Sequence, residues 1–161
     1  MKVILVRHGE AEDPASAKSD QLRTLTEKGK SDIHKIGKFL RNSPLKVSKV
    51  FYSPYARTRL TAEILSEEIS FNGEPISYDP IASGAKCSDF LSCLLSLTNS
   101  DTVLLVAHNP DITYFAAELL GNSQTAENLI FLPGSSIAIN VAREKFAHGQ
   151  IIWAISPDML G

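Results

Sequence analysis

The chain has 161 residues, 43% of them hydrophobic and 21% charged, with a formal net charge of −2. This is the make-up of an ordinary globule large enough to bury a real core, and residues 1–161 are expected to form one domain. No apolar run approaches the roughly 18 residues of a membrane span, no basic run is interleaved with aromatics, and the N-terminal apolar run has no cleavage-site pattern, so membrane and nucleic-acid partners are not expected and the expected location is cytoplasmic.

Lys2 to Val6 (KVILV) is a short β-branched run that reads as a fully buried strand. Arg7-His8-Gly9 stands at its exit, and a polar stretch without periodicity follows from Glu10 to Leu25. Thr26 is the expected N-cap of a helix running to about Asn42, with Ile33, Ile36 and Leu40 as its apolar stripe and Pro44 marking its end. Val47 to Tyr52 reads as a second strand. Ser53-Pro54 then predicts a helix with Ser53 as N-cap and Pro54 at the first helical position, its stripe being Ala56, Leu60, Ile64 and Leu65.

Asn72 to Gly84 is loop-rich, with a strand expected near Ile76 to Tyr78, and Ser88 to Leu97 reads as a helix. Cys87 and Cys93 lie six residues apart in this helical segment. That separation rises about 9 Å, too far for a disulfide, so both read as reduced thiols. Thr102 to Ala107 (TVLLVA) is the third clear strand. Asn109-Pro110 repeats the cap-then-Pro signal and opens a helix through Leu120 that stops at Gly121. Strands are expected at Ile130 to Leu132, Ser136 to Val141 and Ile151 to Ile155. Alternating strands and helices predict an α/β fold, a three-layer sandwich around a largely parallel sheet with helices on both faces.

Charge is unevenly spread: residues 1–60 hold 13 of the 16 Lys and Arg but 6 of the 18 acids. Part of this excess is the solvated face of the first helix (Lys28, Lys35, Lys38). The remainder points to an anionic ligand. Three motifs share one placement, each where a buried strand ends: Arg7-His8-Gly9, Ser53-Pro54-Tyr55-Ala56-Arg57 and His108-Asn109-Pro110. Ligands of open α/β sheets bind at those carboxyl ends, and the motifs converge if the strands are parallel neighbours.

The residue types suit a phosphoryl group. Arginine offers a planar fork matching its oxygens, and helix N-termini opened by Ser53 and Asn109 would add backbone N–H groups. A neutral imidazole can attack phosphorus, and neighbouring arginines would keep His8 unprotonated. Gly9 lets the backbone turn tightly beside the phosphate. His34 and His148 read as structural, one on the first helix and one in a His148-Gly149 turn. None of the four histidines has regular ligand spacing, so neither a metal nor any other cofactor is expected.

Together these motifs resemble the histidine phosphatase superfamily, over nearly the whole chain, and within it the SixA-like phosphohistidine phosphatases. Arg7-His8-Gly9-Glu10-Ala11, Arg23-Thr24-Leu25-Thr26 with Gly29, Ser53-Pro54-Tyr55-Ala56-Arg57 with Thr61-Ala62-Glu63, His108-Asn109-Pro110 and the ending Trp153-Ala154-Ile155-Ser156-Pro157 carry the resemblance. It implies a phosphoglycerate-mutase-like fold, with His8 as the phosphorylated nucleophile. Arg7, Arg57 and His108 would form the phosphate pocket, Arg23 would reach it from the loop before the first long helix, and Asn109 would contribute its backbone N–H.

The chain departs from phosphoglycerate mutases, which carry a longer insertion with an acid that protonates an alkoxide. Here Asp79 to Asp89 is short, and Asp79 and Asp89 are the candidate proton donors. A phosphohistidine leaves as imidazole and needs less acid help. The resemblance therefore implies hydrolysis of phosphohistidine on a phosphorylated protein, such as a histidine-containing phosphotransfer domain. The alternatives are a phosphatase for small phosphomonoesters (sugar or nucleotide phosphates) and a non-catalytic phosphate-binding regulatory module. The joint presence of Arg7, His8, Arg57 and His108 argues against the last, because a binding module could dispense with the nucleophile.

Overall fold

The computed structural model describes residues 1–142 and 145–161. Ten elements follow in chain order: β1 (Lys2–Arg7), α1 (Glu27–Asn42), β2 (Lys49–Tyr52), α2 (Ala56–Glu68), β3 (Ile76–Ser77), α3 (Cys87–Leu95), β4 (Thr102–Ala107), α4 (Asp111–Leu120), β5 (Ser136–Ala142) and β6 (Lys145–Ile155). The strands form one sheet in the order β3-β2-β4-β1-β5-β6. The first four are parallel, and β5 and β6 add antiparallel to the side of β1. Three of the five strand pairs are parallel, so the sheet is largely parallel, as the sequence suggests, with a mixed edge where β5 and β6 pair antiparallel.

The central strands read as unbroken apolar runs because both faces of the sheet are covered. Alternate residues serve opposite layers. Val3 and Leu5, with Val103 and Leu105, pack against Phe90, Leu94, Ile112 and Phe115 of α3 and α4. Ile4 and Val6, with Leu104 and Val106, pack against Ile33, Ile36, Leu40, Ile64 and Leu65 of α1 and α2. Phe90 and Phe115 stack with ring centroids 4.4 Å apart, which joins the two helices of one layer.

Helix α1 begins as its sequence predicts, with Thr26 Oγ1 accepting from Gly29 N at 2.9 Å. Its first turn lies against the loop after β1. A Cβ on Gly29 would overlap the Glu10 carbonyl, and one on Gly9 would stand 2.9 Å from the Gly29 carbonyl oxygen. Gly9 is thus demanded by close backbone approach to α1, rather than by a left-handed turn. At the end of α4, Gly121 takes φ 86 and closes the helix where expected.

Four local expectations are corrected. Helix α2 starts at Ala56 after Tyr55, not at Pro54, because Ser53 is buried and its hydroxyl is used elsewhere. The buried positions of α2 include Arg57, Thr58, Thr61, Ala62, Ile64 and Leu65, so its inner face is partly polar where it meets the site. Ile130 to Leu132 is a loop. Pro133 lacks an N–H, and Gly134 at φ 78 turns the chain so that Gly134 N donates to the His8 carbonyl at 3.0 Å. His148 lies exposed within β6 instead of in a turn.

Candidate active site

The sheet register brings the three motifs together. Arg7 is level with Ala107 across the parallel β1–β4 pair, so His8 and His108 leave adjacent strands side by side. Tyr52 is level with Val106 across β2–β4, and Ser53 N donates to the Val106 carbonyl at 3.0 Å. The parallel-neighbour arrangement on which convergence depends is therefore present. The imidazoles of His8 and His108 meet edge to face, with ring centroids 5.2 Å apart.

His8 is held by one strong local contact, Nδ1 to its neighbour's Gly9 carbonyl at 2.7 Å. A carbonyl only accepts, so Nδ1 carries the proton and the lone pair of the neutral ring lies on Nε2. Burial, reinforced by Arg57, Arg7 and Arg23, lowers its pKa to about 4, against the opposing pull of the Gly9 hydrogen bond. His8 is therefore a neutral imidazole, oriented by its neighbour, across the physiological range.

His108 is more deeply buried and has the opposite tautomer. Arg57 Nη2 donates to Nδ1 at 3.3 Å, so the ring proton sits on Nε2 and is donated to Ser53 Oγ at 2.8 Å. Burial, then the proximity of His8 and of the Arg57 guanidinium, lowers its pKa to about 3. The Tyr55 ring packs on both partners, 4.5 Å from the His108 centroid and 4.7 Å from the Arg57 guanidinium carbon.

The arginines enter from three directions. Arg7 Nη1 donates to the Phe131 carbonyl at 2.6 Å, which ties β1 to the 129–135 loop. Arg57, from the first turn of α2, is buried. Arg23 comes from the β1–α1 loop, with Nε on the Glu12 carbonyl at 2.8 Å and Nη1 on Asp20 Oδ1 at 2.8 Å. Asp20 also touches Arg57, with Oδ2 3.0 Å from Nη2, and so connects Arg23 to the cluster. Asn109 follows His108 at the exposed rim, where its Oδ1 accepts from the Thr113 hydroxyl at 2.7 Å. Its side chain thus bonds a hydroxyl instead of a backbone N–H, and α4 begins at Asp111.

Asp79 stands at the same end of the sheet, just past β3, but is exposed, and its backbone carbonyl accepts from Ala82 N at 2.8 Å. Asp89 lies in the first turn of α3. His34 pairs with Glu68 across α1 and α2 at 2.9 Å, away from these residues. Tyr55, Thr61 and Asp20 are given no individual role by the sequence, and Ser53 is expected there only to open a helix. Thr61 had a signal, the Thr-Ala-Glu motif. Its Oγ1 accepts from Gly9 N at 3.2 Å and donates to the Arg57 carbonyl at 2.7 Å, so one hydroxyl couples two motifs.

The histidine pKa values set an acid limit on stability. An unfolded histidine titrates near ~6.5. Between that pH and about 4, the unfolded chain binds a proton that folded His8 refuses, and for His108 the window extends to about 3. Their contribution is complete above the unfolded pKa and is lost as pH falls through this window. Urea midpoints at pH 7 and pH 4.5 should show wild type losing more stability than His8→Asn over that step. Equal losses would mean that His8 is not held neutral by the fold.

Among the described residues, no group of three or more His, Cys, Asp or Glu is placed to hold a metal ion, and no helix is long and apolar enough to cross a membrane. The family model described as "Histidine phosphatase superfamily (branch 1)" matches residues 3–81. Phosphohistidine phosphatase SixA of Escherichia coli is 28% identical over 98% of this chain and 94% of its own. An uncharacterized protein of Picosynechococcus is 30% identical over 80% of this chain and 78% of its own. The solved structure of the protein histidine phosphatase SixA complexed with tungstate superposes with a TM-score of 0.87 at 23% identity, covering 100% of both chains. That likeness fixes the fold as the phosphoglycerate-mutase-like α/β fold of SixA. The chain belongs to the histidine phosphatase superfamily and is a phosphatase of its metal-independent kind.

Proposed function

We propose that this phosphatase hydrolyses phosphohistidine carried on another protein, a histidine-containing phosphotransfer domain being the partner of matching chemistry, and that His8 takes up the phosphoryl group. The observation that carries the reading is the fixed tautomer of His8. Nδ1–H is spent on the Gly9 carbonyl, and Nε2 keeps its lone pair beside Arg7, Arg57 and His108. The likeness to SixA over almost the full length supports the same substrate class.

In the first step Nε2 of His8 attacks phosphorus as the bond to the substrate's imidazole nitrogen breaks. The substrate departs as neutral imidazole when its other nitrogen is protonated, so no enzyme acid is needed for the leaving group. His8 becomes a phospho-imidazolium whose Nδ1–H remains on the Gly9 carbonyl, which favours the cation and keeps it a good leaving group in turn. Water then attacks phosphorus as the P–Nε2 bond breaks and its electron pair returns to Nε2; the proton lost by the water passes to the departing phosphate or to solvent, and neutral His8 is regenerated. Arg7, Arg23 and Arg57 balance the charge on the equatorial oxygens, with His108 walling the pocket and Asn109 offering its backbone N–H. Arg7 Nε is buried with no partner among the described residues, the kind of donor an oxyanion satisfies.

The test is turnover on a phosphohistidine protein beside a panel of sugar, nucleotide and aryl phosphomonoesters, all with a strong chelator present. The phosphohistidine protein should give the highest kcat/KM, and the chelator should change nothing. A preference for a small phosphomonoester would replace the substrate proposed here. Activity lost to the chelator and restored by zinc or magnesium would overturn the assignment of charge neutralisation to arginines.

A further inference from the structure

The loop between β1 and α1 brings more to the site than Arg23. It brings the Asp20 carboxylate, which stands between two guanidiniums. Oδ1 accepts from Arg23 Nη1 at 2.8 Å, and Oδ2 accepts from Arg57 Nη2 at 3.0 Å. The backbone carbonyl of the same residue accepts from Arg57 Nη1 at 2.7 Å and from Arg23 N at 3.3 Å. We infer that Asp20 is a positioning residue that clasps Arg23 and Arg57 in register, so that their remaining donors converge on one phosphoryl group. The inference rests on the reading of these arginines as the phosphate grip.

The donor inventory fits. A guanidinium has five N–H donors in a fixed plane. Arg57 spends one Nη1 hydrogen on the Asp20 carbonyl and both Nη2 hydrogens on Asp20 Oδ2 and His108 Nδ1, and keeps its Nε–H and the second Nη1 hydrogen. Arg23 spends Nε on the Glu12 carbonyl and one Nη1 hydrogen on Asp20, and keeps both Nη2 hydrogens and the second Nη1 hydrogen. Each plane is thus fixed by two or more bonds, with donors still available to a ligand. Two guanidiniums brought to one anion repel each other before the anion arrives, and a carboxylate between them offsets that repulsion. Hydrogen bonding to Arg23, then Arg57, holds the Asp20 carboxyl below the usual carboxylate range, so the clasp is charged throughout the working pH range.

The same geometry invites an opposite function, in which the carboxylate imitates phosphate and blocks the fork. The backbone carbonyl argues for the clasp. It anchors the loop to Arg57 whichever way the carboxylate points, so the loop that delivers Arg23 is itself moored on Arg57. Asp20 is also unsuited to a purely structural role. Its side chain is 56% exposed, so the fold does not depend on burying this carboxylate.

Two effects oppose each other when the charge is removed. Loss of a negative charge beside the pocket tightens any anion by simple Coulomb attraction. Loss of the clasp loosens an anion that needs both forks aligned. The experiment is orthovanadate affinity, by calorimetry, for wild type, Asp20→Asn, Asp20→Glu, Arg57→Lys and the Asp20→Asn/Arg57→Lys double variant, with melting temperatures alongside. Asp20→Asn keeps both backbone contacts and should melt within a few degrees of wild type. Its vanadate affinity should fall about ten-fold or more, by analogy with partners that orient metal ligands from behind. Asp20→Glu should lie between it and wild type.

In the Arg57→Lys background the Asn change should add little, because the clasp has already lost one of its partners; that non-additivity separates positioning from general loop damage. Vanadate bound by Asp20→Asn as tightly as by wild type, or more tightly, overturns the clasp. Strict additivity with Arg57→Lys overturns it too. Wild type that binds no vanadate, or Arg57→Lys that binds it unchanged, overturns the phosphate-site reading and the clasp with it, so the two failures are distinguishable.

Discussion

His8→Ala is expected to abolish turnover and, with it, covalent labelling by a radiolabelled phosphohistidine donor. In wild type the label should be acid-sensitive and alkali-stable, as a phosphoramidate bond is, and should map to His8. The expected loss is large because in the proposed mechanism the imidazole makes the bond to phosphorus, and its removal leaves only binding and charge stabilisation. Tautomer and pKa together make His8 competent: Nδ1 is held at 2.7 Å by the Gly9 carbonyl, and burial keeps the ring neutral down to about pH 4. The neutral edge of the neighbouring His108 cannot substitute, because Nδ1 is occupied by Arg57 and Nε2 by Ser53. Turnover in His8→Ala comparable with wild type would end the covalent mechanism. Labelling that moved to another histidine would end the assignment to His8.

Much of the architecture was legible because its signals are local. Thr26 caps α1, Gly121 ends α4, and the runs at Lys2 and Thr102 are buried strands, each through chemistry confined to a few neighbouring residues. The convergence of Arg7, His8, Arg57 and His108 was conditional on strand order, which no local signal carries. The β2-β4-β1 neighbourhood supplies it. Ser53 was misread for an instructive reason. Ser-Pro before an apolar helix has the composition of a cap, but the hydroxyl is directed across the sheet end, where it fixes the proton of His108. Asp20 gave no signal, since an acidic residue in an aperiodic polar stretch usually faces water, and its partner Arg57 lies 37 positions away. Ile130 to Leu132 has strand-forming side chains, yet Pro133 and Gly134 turn it into the loop that receives Arg7.

Arg57→Lys is expected to keep the fold and to lose about 2–4 kcal/mol of transition-state stabilisation, by analogy with removal of one oxyanion-hole donor. The size follows from geometry rather than charge. Arg57 is buried, and its guanidinium bonds the Asp20 carbonyl at 2.7 Å, Asp20 Oδ2 at 3.0 Å and His108 Nδ1 at 3.3 Å while facing the Tyr55 ring. A lysine ammonium keeps the charge but concentrates it at one atom with three donors, so it cannot serve these partners and also grip two oxygens of a planar phosphoryl group. The loss should fall on the transition state, where charge on the equatorial oxygens is spread in the plane of the fork. Vanadate, whose five-coordinate form imitates that state, should therefore weaken in parallel with kcat/KM. His34→Ala provides the contrast. That histidine pairs with Glu68 between α1 and α2, so its removal should change neither quantity. Paired vanadate affinities and turnover rates for the three proteins decide the matter. If Arg57→Lys matched wild type in both, the three strand-end motifs would not act on one phosphate, and the site would have to be sought elsewhere on the sheet.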